Sequence, residues 1–142
     1  MTRNKKKILV VDDDELHLYT TKELLQDEHI EVTTHKGWLG VTNVVRSLQP
    51  DLVLLDINMP ALSGDKLAGL IKPYCEAMKT PIVFHSSNDE DSLRESVATH
   101  GVQGYICKGN IADLRKKVNQ YLSVNSGGRQ GGETCNRTLT EL

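Results

Sequence analysis

The stretch Pro50 to Pro60, PDLVLLDINMP, constrains the chain most. Four apolar residues, Leu52 to Leu55, run without a polar break into Asp56. A continuous apolar run bounded by prolines fits a strand buried on both faces of a parallel sheet. Such a strand has no wet face for a carboxylate, so Asp56 belongs where the strand ends. In open α/β sheets the carboxyl ends of the strands form the ligand-binding rim. Asn58, Met59 and Pro60 then turn the chain away, because proline cannot continue a central strand.

The other apolar runs repeat this design. Lys7 to Val11 (KILVV) reads as a buried strand running into Asp12, Asp13 and Asp14. Asp14 and its neighbours suit the start of a helix, since aspartate caps well and acids favour the positive end of the helix dipole. Leu16, Thr20 and Leu24 fall at helical spacing behind them, with Leu18 and Leu25 beside. Ile30 to Thr34 is β-branched and alternating, as an edge strand would be. Val41, Val44, Val45 and Leu48 mark a second helix ending before Pro50. Gly64 reads as a loop residue, and Leu67, Leu70 and Ile71 as a short helix closed by Pro73. Pro81 to Phe84 is a fourth strand delivering His85, Ser86 and Ser87. Asn88 to His100 is a weak, polar helix with Leu93, Val97 and Ala98 as its stripe, ended by Gly101. Gly104 to Cys107 is a fifth strand running into Lys108. Asn110 caps a last helix, lined by Ile111, Leu114, Val118 and Leu122.

Five β-α units predict a doubly wound α/β domain, a five-stranded parallel sheet in flavodoxin-like order 2-1-3-4-5 with five helices. The expected division is a domain over 1–124 and a flexible, glycine-rich tail over 125–142. No apolar run reaches the roughly 18 residues of a membrane helix. A net charge of −2 gives no reason to expect nucleic-acid or membrane binding. The basic N-terminus lacks a cleavage-site pattern, so no signal peptide is expected. Cys75, Cys107 and Cys135 are odd in number and far apart, which fits reduced thiols in cytoplasm.

Four strand ends therefore bring chemistry to one rim: the acidic cluster, Asp56, Ser86 and Lys108. At about 4 Å and an effective dielectric near 20, each like-charge carboxylate pair costs roughly 4 kcal/mol. A divalent cation with oxygen ligands removes that cost, and Mg²⁺ suits a site that also handles phosphate. A lysine and a hydroxyl opposite the acids can hold phosphoryl oxygens. A metal, a carboxylate nucleophile and a cation are the parts for phosphoryl transfer to an aspartate. Taken singly, each residue has a plainer reading: an N-cap, a turn serine, a solvated lysine. Their coincidence on one rim carries the functional reading.

With VVDDD at Val10 to Asp14, PDLVLLDINMP around Asp56, PIVFHSS around Ser86 and GYICK ending at Lys108, the chain resembles the receiver domain of two-component response regulators. The resemblance spans Lys5 to about Ser123. It implies that Asp56 accepts the phosphoryl group and that Asp13 ligates Mg²⁺ directly, with Asp12 acting through water and the Asn58 carbonyl as a further ligand. Ser86 and Lys108 would hold the phosphoryl oxygens, and Tyr105 would change rotamer when the domain switches. The implied donor is a histidine kinase or a histidine phosphotransfer protein. The implied output is a downstream protein, or a second copy, meeting the face made by helix 4, strand 5 and helix 5. Such a module is not an enzyme beyond its own phosphorylation and dephosphorylation.

Where that family follows its lysine with proline, Gly109 stands here. A cis bond is therefore expensive, about 3–4 kcal/mol, and the expectation is a trans Lys108–Gly109 bond with glycine absorbing the difference. Other readings are a haloacid-dehalogenase-type phosphatase and a receiver used only for binding. The first would use the Asp12/Asp14 D-x-D, but Leu16 and His17 follow in place of its threonine or valine, and only Asp89 to Asp91 offer a later acidic pair. The intact set of acids, hydroxyl and lysine argues against the second. With no output domain evident, the expectation is either a stand-alone receiver acting through protein contacts or a piece of something longer, the tail mildly favouring the former. His85 is expected to be a core histidine, Cys107 a small core hydrophobe, and Arg115, Lys116 and Lys117 a solvated face. Trp38 fits either an exposed contact residue or a lid on the second helix.

Overall fold

Leu52, Val53, Leu54 and Leu55 are each fully buried and form the middle strand of the sheet, as their unbroken apolar run requires. The computed structural model describes residues 5–127. In chain order its elements are β1 (Lys6–Asp12), α1 (Glu15–Leu25), β2 (Ile30–Lys36), α2 (Val41–Leu48), β3 (Leu52–Leu55), α3 (Gly64–Met78), β4 (Ile82–Ser86), α4 (Glu90–His100), β5 (Gly104–Cys107) and α5 (Ile111–Gly127). All neighbouring strands pair in parallel, in the order β2-β1-β3-β4-β5.

Alternate residues of the strands feed two cores. Leu9, Val11, Val53, Leu55, Ile82 and Phe84 pack with α2, α3 and α4. Ile8, Val10, Leu52, Leu54, Val83 and Ile106 pack with α1 and α5. Each fully buried leucine contributes about 1.5–3 kcal/mol, so the central strand alone is a large share of a marginal total.

Several expectations shift in detail. On α1 the inward stripe is Leu18, Thr21 and Leu25, while Leu16 and Thr20 are exposed and Leu24 is only partly buried. The Thr20 hydroxyl instead donates to the Leu16 carbonyl at 2.9 Å. Pro73 does not end α3; it lies inside a fifteen-residue helix that begins at Gly64. Pro73 and Gly69 lie on the exposed side, so the carbonyl that proline leaves without a donor faces water. On α4 only Leu93 is buried, and Ala98 faces solvent. Ile111 is 52% exposed, and Tyr121 completes the inner face of α5 in its place. Helix α5 continues to Gly127, past the expected start of the tail. The rest of the expected tail, 128–142, lies outside the described residues.

The strand register aligns the rim. Val11 pairs with Leu55, Leu55 with Phe84, and Phe84 with Tyr105. One step beyond that row stand Asp12 and Asp56, whose N–H donates to the Val11 carbonyl at 3.0 Å. Two and three steps beyond it stand Ser86 and Lys108, joined by a 2.9 Å bond from the Lys108 N–H to the Ser86 carbonyl.

Candidate functional site

Asp12 closes β1 and is buried, with 2% of its surface exposed. Its Oδ1 accepts the Asp14 N–H at 3.1 Å, and its Oδ2 lies 2.9 Å from Lys108 Nζ and 2.9 Å from His17 Nδ1. A carboxylate only accepts, so His17 carries its proton on Nδ1. Burial pushes the Asp12 carboxyl up, but the His17, Lys108 and Asp14 donors outweigh it and hold the group well below the usual carboxylate range.

Asp56 lies opposite, buried just past β3, with Oδ1 at 3.6 Å from Lys108 Nζ. Burial first, and the neighbouring Asp12 charge second, push Asp56 up to about 6, against the pull of Lys108 and the Asn58 N–H. Lys108 therefore sits closer to Asp12 than to Asp56. Asp13 is half-buried beside them, and one carboxylate oxygen from each of Asp12, Asp13 and Asp56 falls within 4.8 Å of the others. Oxygen donors this crowded, with only one lysine between them, fit a hard divalent cation. Asp14 stands apart. It caps α1, its Oδ1 accepting the Leu16 and His17 N–H groups, so it is spent on the helix rather than forming a D-x-D pair with Asp12.

The far side of the site is polar and tied together. The Ser86 hydroxyl oxygen is buried and accepts from Asn58 Nδ2 and the Asn88 N–H, both at 3.3 Å. Asn58 Nδ2 also donates to Asn88 Oδ1 at 2.7 Å, bridging the loops after β3 and β4. Behind them Tyr105 is buried, and its hydroxyl donates to Glu90 Oε2 at 2.6 Å. Burial and this bond push the Tyr105 phenol up to about 12. No cis peptide bond occurs among the described residues, so Lys108–Gly109 is trans, and Gly109 takes φ 99°, a conformation open to glycine.

The structure thus brings together Asp12, Asp13, Asp56 and Lys108, with Ser86 and Asn58 across from them and Tyr105 one layer behind. Lys117 was expected on a solvated face, and there the expectation fails. It is 5% exposed, pairs with Asp113 at 3.2 Å and places Nζ 5.5 Å from the centre of the Tyr105 ring. A long stem that buries while its head finds an acid and a ring is not visible in a run of three like charges. His85 is a buried core histidine, kept neutral by burial, which pushes it down to about 3. Its ring lies 5.0 Å from that of His17. Sequence reasoning missed His17, Asn88 and Glu90. For His17 the one available signal was an imidazole in the first turn of a helix that starts directly behind two acids. Trp38 stands in the exposed turn after β2, 37% accessible.

These elements define a class. The model of the response regulator receiver domain matches residues 8–119, and the chain belongs to that family. Receiver domains are signalling modules of two-component systems, and they interact with histidine kinases or phosphotransfer proteins.

Within the family, the chain is 27% identical over 122 residues to the polar-differentiation response regulator DivK of Brucella anthropi, covering 82% of this chain and 96% of that one. It is 28% identical over 102 residues to protein RcaC of Microchaete diplosiphon, where 72% of this chain spans only 16% of the relative. A CheY-like receiver domain protein from Methanospirillum hungatei shares the fold, with a TM-score of 0.77 at 24% identity over 87% of this chain and 98% of that one. Among the described residues no helix is long and apolar enough to cross a membrane.

Proposed function

We propose that this chain is a phosphorylation-operated receiver, with Asp56 as the phosphoryl acceptor. The observation that carries it is the state of Asp56: a buried carboxylate, raised to about 6 by burial and by Asp12, and facing a single lysine. At neutral pH such a group is mostly ionised yet poorly solvated, which suits a nucleophile.

One Asp56 oxygen attacks the phosphorus of a phosphohistidine on a histidine kinase or phosphotransfer protein. The O–P bond forms as the P–N bond breaks, and its electron pair returns to the imidazole. Hydrolysis reverses the state: water attacks phosphorus, inorganic phosphate leaves and the Asp56 carboxylate is restored. Lys108 moves from the carboxylates to the phosphoryl oxygens, and Ser86 donates its hydroxyl to them once Asn58 gives way. Asp13, Asp56 and the Asn58 carbonyl would hold Mg²⁺, with Asp12 acting through water. The bound ion would neutralise charge on the transferring group.

The working unit is the receiver domain closed by α5. Its output is the face of α4, β5 and α5, where Tyr105 responds to Ser86 and a downstream protein or a second copy is received. The acidic balance of the chain supports protein partners over nucleic acid or membrane.

The test is incubation with acetyl phosphate and Mg²⁺, followed by mass analysis of the intact chain and its peptides. Wild type gains one phosphoryl group on Asp56, and Asp56→Asn gains none. Labelling of Asp56→Asn at the wild-type level sinks the assignment. No labelling of either favours a receiver that works by binding alone.

A further inference from the structure

Asp12 Oδ2 accepts from two side chains at once, Lys108 and His17, each at 2.9 Å. Among the described residues Lys108 is the only lysine or arginine paired with the two buried carboxylates, and it lies 3.6 Å from Asp56. Under the phosphorylation reading above, on which this inference rests, Lys108 must loosen its hold on Asp12 to reach the phosphoryl oxygens. A buried carboxylate stripped of its cation is costly unless another donor stays behind. The Asp14 N–H holds only Oδ1.

We infer that His17 is a positioning residue for phosphoryl transfer: its Nδ1–H stays on Asp12 Oδ2 and keeps that carboxylate satisfied and in place while Lys108 crosses to the phosphoryl group. The ring is built to stay. Its backbone N–H donates to the Asp14 cap at 3.4 Å, fixing it in the first turn of α1. The ring of His85 on β4 lies 5.0 Å away, tilted by 42°, and supports it from the sheet side. His85 is buried, so the support is an uncharged surface that does not repel the Asp12 side of the ring. His17 touches neither the nucleophile nor the phosphoryl group, and its effect runs wholly through Asp12. That predicts a particular split. Loss of the Nδ1 donor leaves Lys108 as the one side-chain donor to Asp12 Oδ2 among the described residues, so Lys108 is retained there and phosphoryl recognition suffers. Cation binding, which draws on the negative charge of Asp12 and Asp13, does not weaken.

The experiment compares wild type, His17→Ala and His17→Asn as full chains; the asparagine amide puts a donor near the place of Nδ1. Mg²⁺ affinity and beryllofluoride affinity are read by NMR titration, and the initial rate of Asp56 labelling by acetyl phosphate is read by mass. Orienting residues of this kind cost about 10–100-fold when removed. His17→Ala should lower the beryllofluoride affinity and the labelling rate about tenfold without weakening Mg²⁺, and His17→Asn should recover most of the loss. Three results overturn the inference: His17→Ala labelling at the wild-type rate, a folded His17→Asn no better than alanine, or Mg²⁺ and beryllofluoride affinities falling in parallel, as for a packing role. Wild type that takes no label on Asp56 overturns the phosphorylation reading itself, and this inference with it.

Discussion

Asp56 is an acid whose folded value, about 6, lies above its ordinary 3.8. The sign of its linkage follows. Below pH 4 the carboxyl is protonated in both states and contributes nothing. Between about 4 and 6 the folded chain holds the proton more tightly, so stability falls as pH rises. Above 6 the whole penalty is present, about 2–3 kcal/mol. Asp56→Asn removes it. In EDTA at pH 7.5, urea denaturation should show the variant more stable by about that amount, with the gap closing towards pH 4. An unchanged gap across this range would mean that Asp56 is not the strained group. The site's outline was legible because Asp12, Asp56 and Lys108 each follow a buried apolar run, and a buried strand can present charge only where it ends. His17 and Lys117 were not legible. Which way a partly buried side chain turns depends on what faces it across the sheet, and that is set by tertiary packing rather than by local pattern.

At the scale of the elements, α3 is tied to the site by its first residue. Gly64 donates to the Ile57 carbonyl at 2.9 Å, and a Cβ there would run into the Asp56 carbonyl oxygen and lie 2.8 Å from the Ile57 Cα. Those are backbone atoms and cannot swing aside. Gly64→Ala should therefore cost about 1–3 kcal/mol by overpacking and also slow Asp56 labelling, because the shift falls on the β3–α3 loop. Labelling at the wild-type rate with only a lower midpoint in a urea melt would show that the loop yields away from Asp56. Strands and their order were readable throughout, since four strands carry short apolar runs with turn residues beside them and β2 shows the β-branched alternation of an edge. Helix faces were less so. On α1 a threonine, Thr21, fills an inward position while Leu16 points out, so a stripe chosen by hydrophobicity lands on the wrong face. Pro73 misled for the same reason as any breaker on a wet face: the group it leaves unpaired is served by water.

Across the whole molecule, α4 is the least anchored helix, with one buried side chain, Leu93, in eleven residues. Its ties to the site are polar: Glu90 on the Tyr105 hydroxyl, and Asn88 on Ser86 in the loop before it. Low local stability of this kind is where displacement is cheapest. Hydrogen exchange with and without beryllofluoride should change most over 88–107. A change confined to α2 and α3 would place the responding surface elsewhere.

The parallel sheet has one more consequence, for the chain as it is being made. Asp12 and Asp56 become neighbours as soon as β3 lies down beside β1, but the lysine between them directly follows β5, the last strand and an edge of the sheet. A ribosome therefore exposes a half-built sheet whose two acids have no cation of their own, and like charges oppose its closure. A nascent chain stalled before β5 should accordingly depend on divalent ions for compaction, and one that includes Lys108 should not. In that sense the last strand to be synthesised completes the electrostatics of the first.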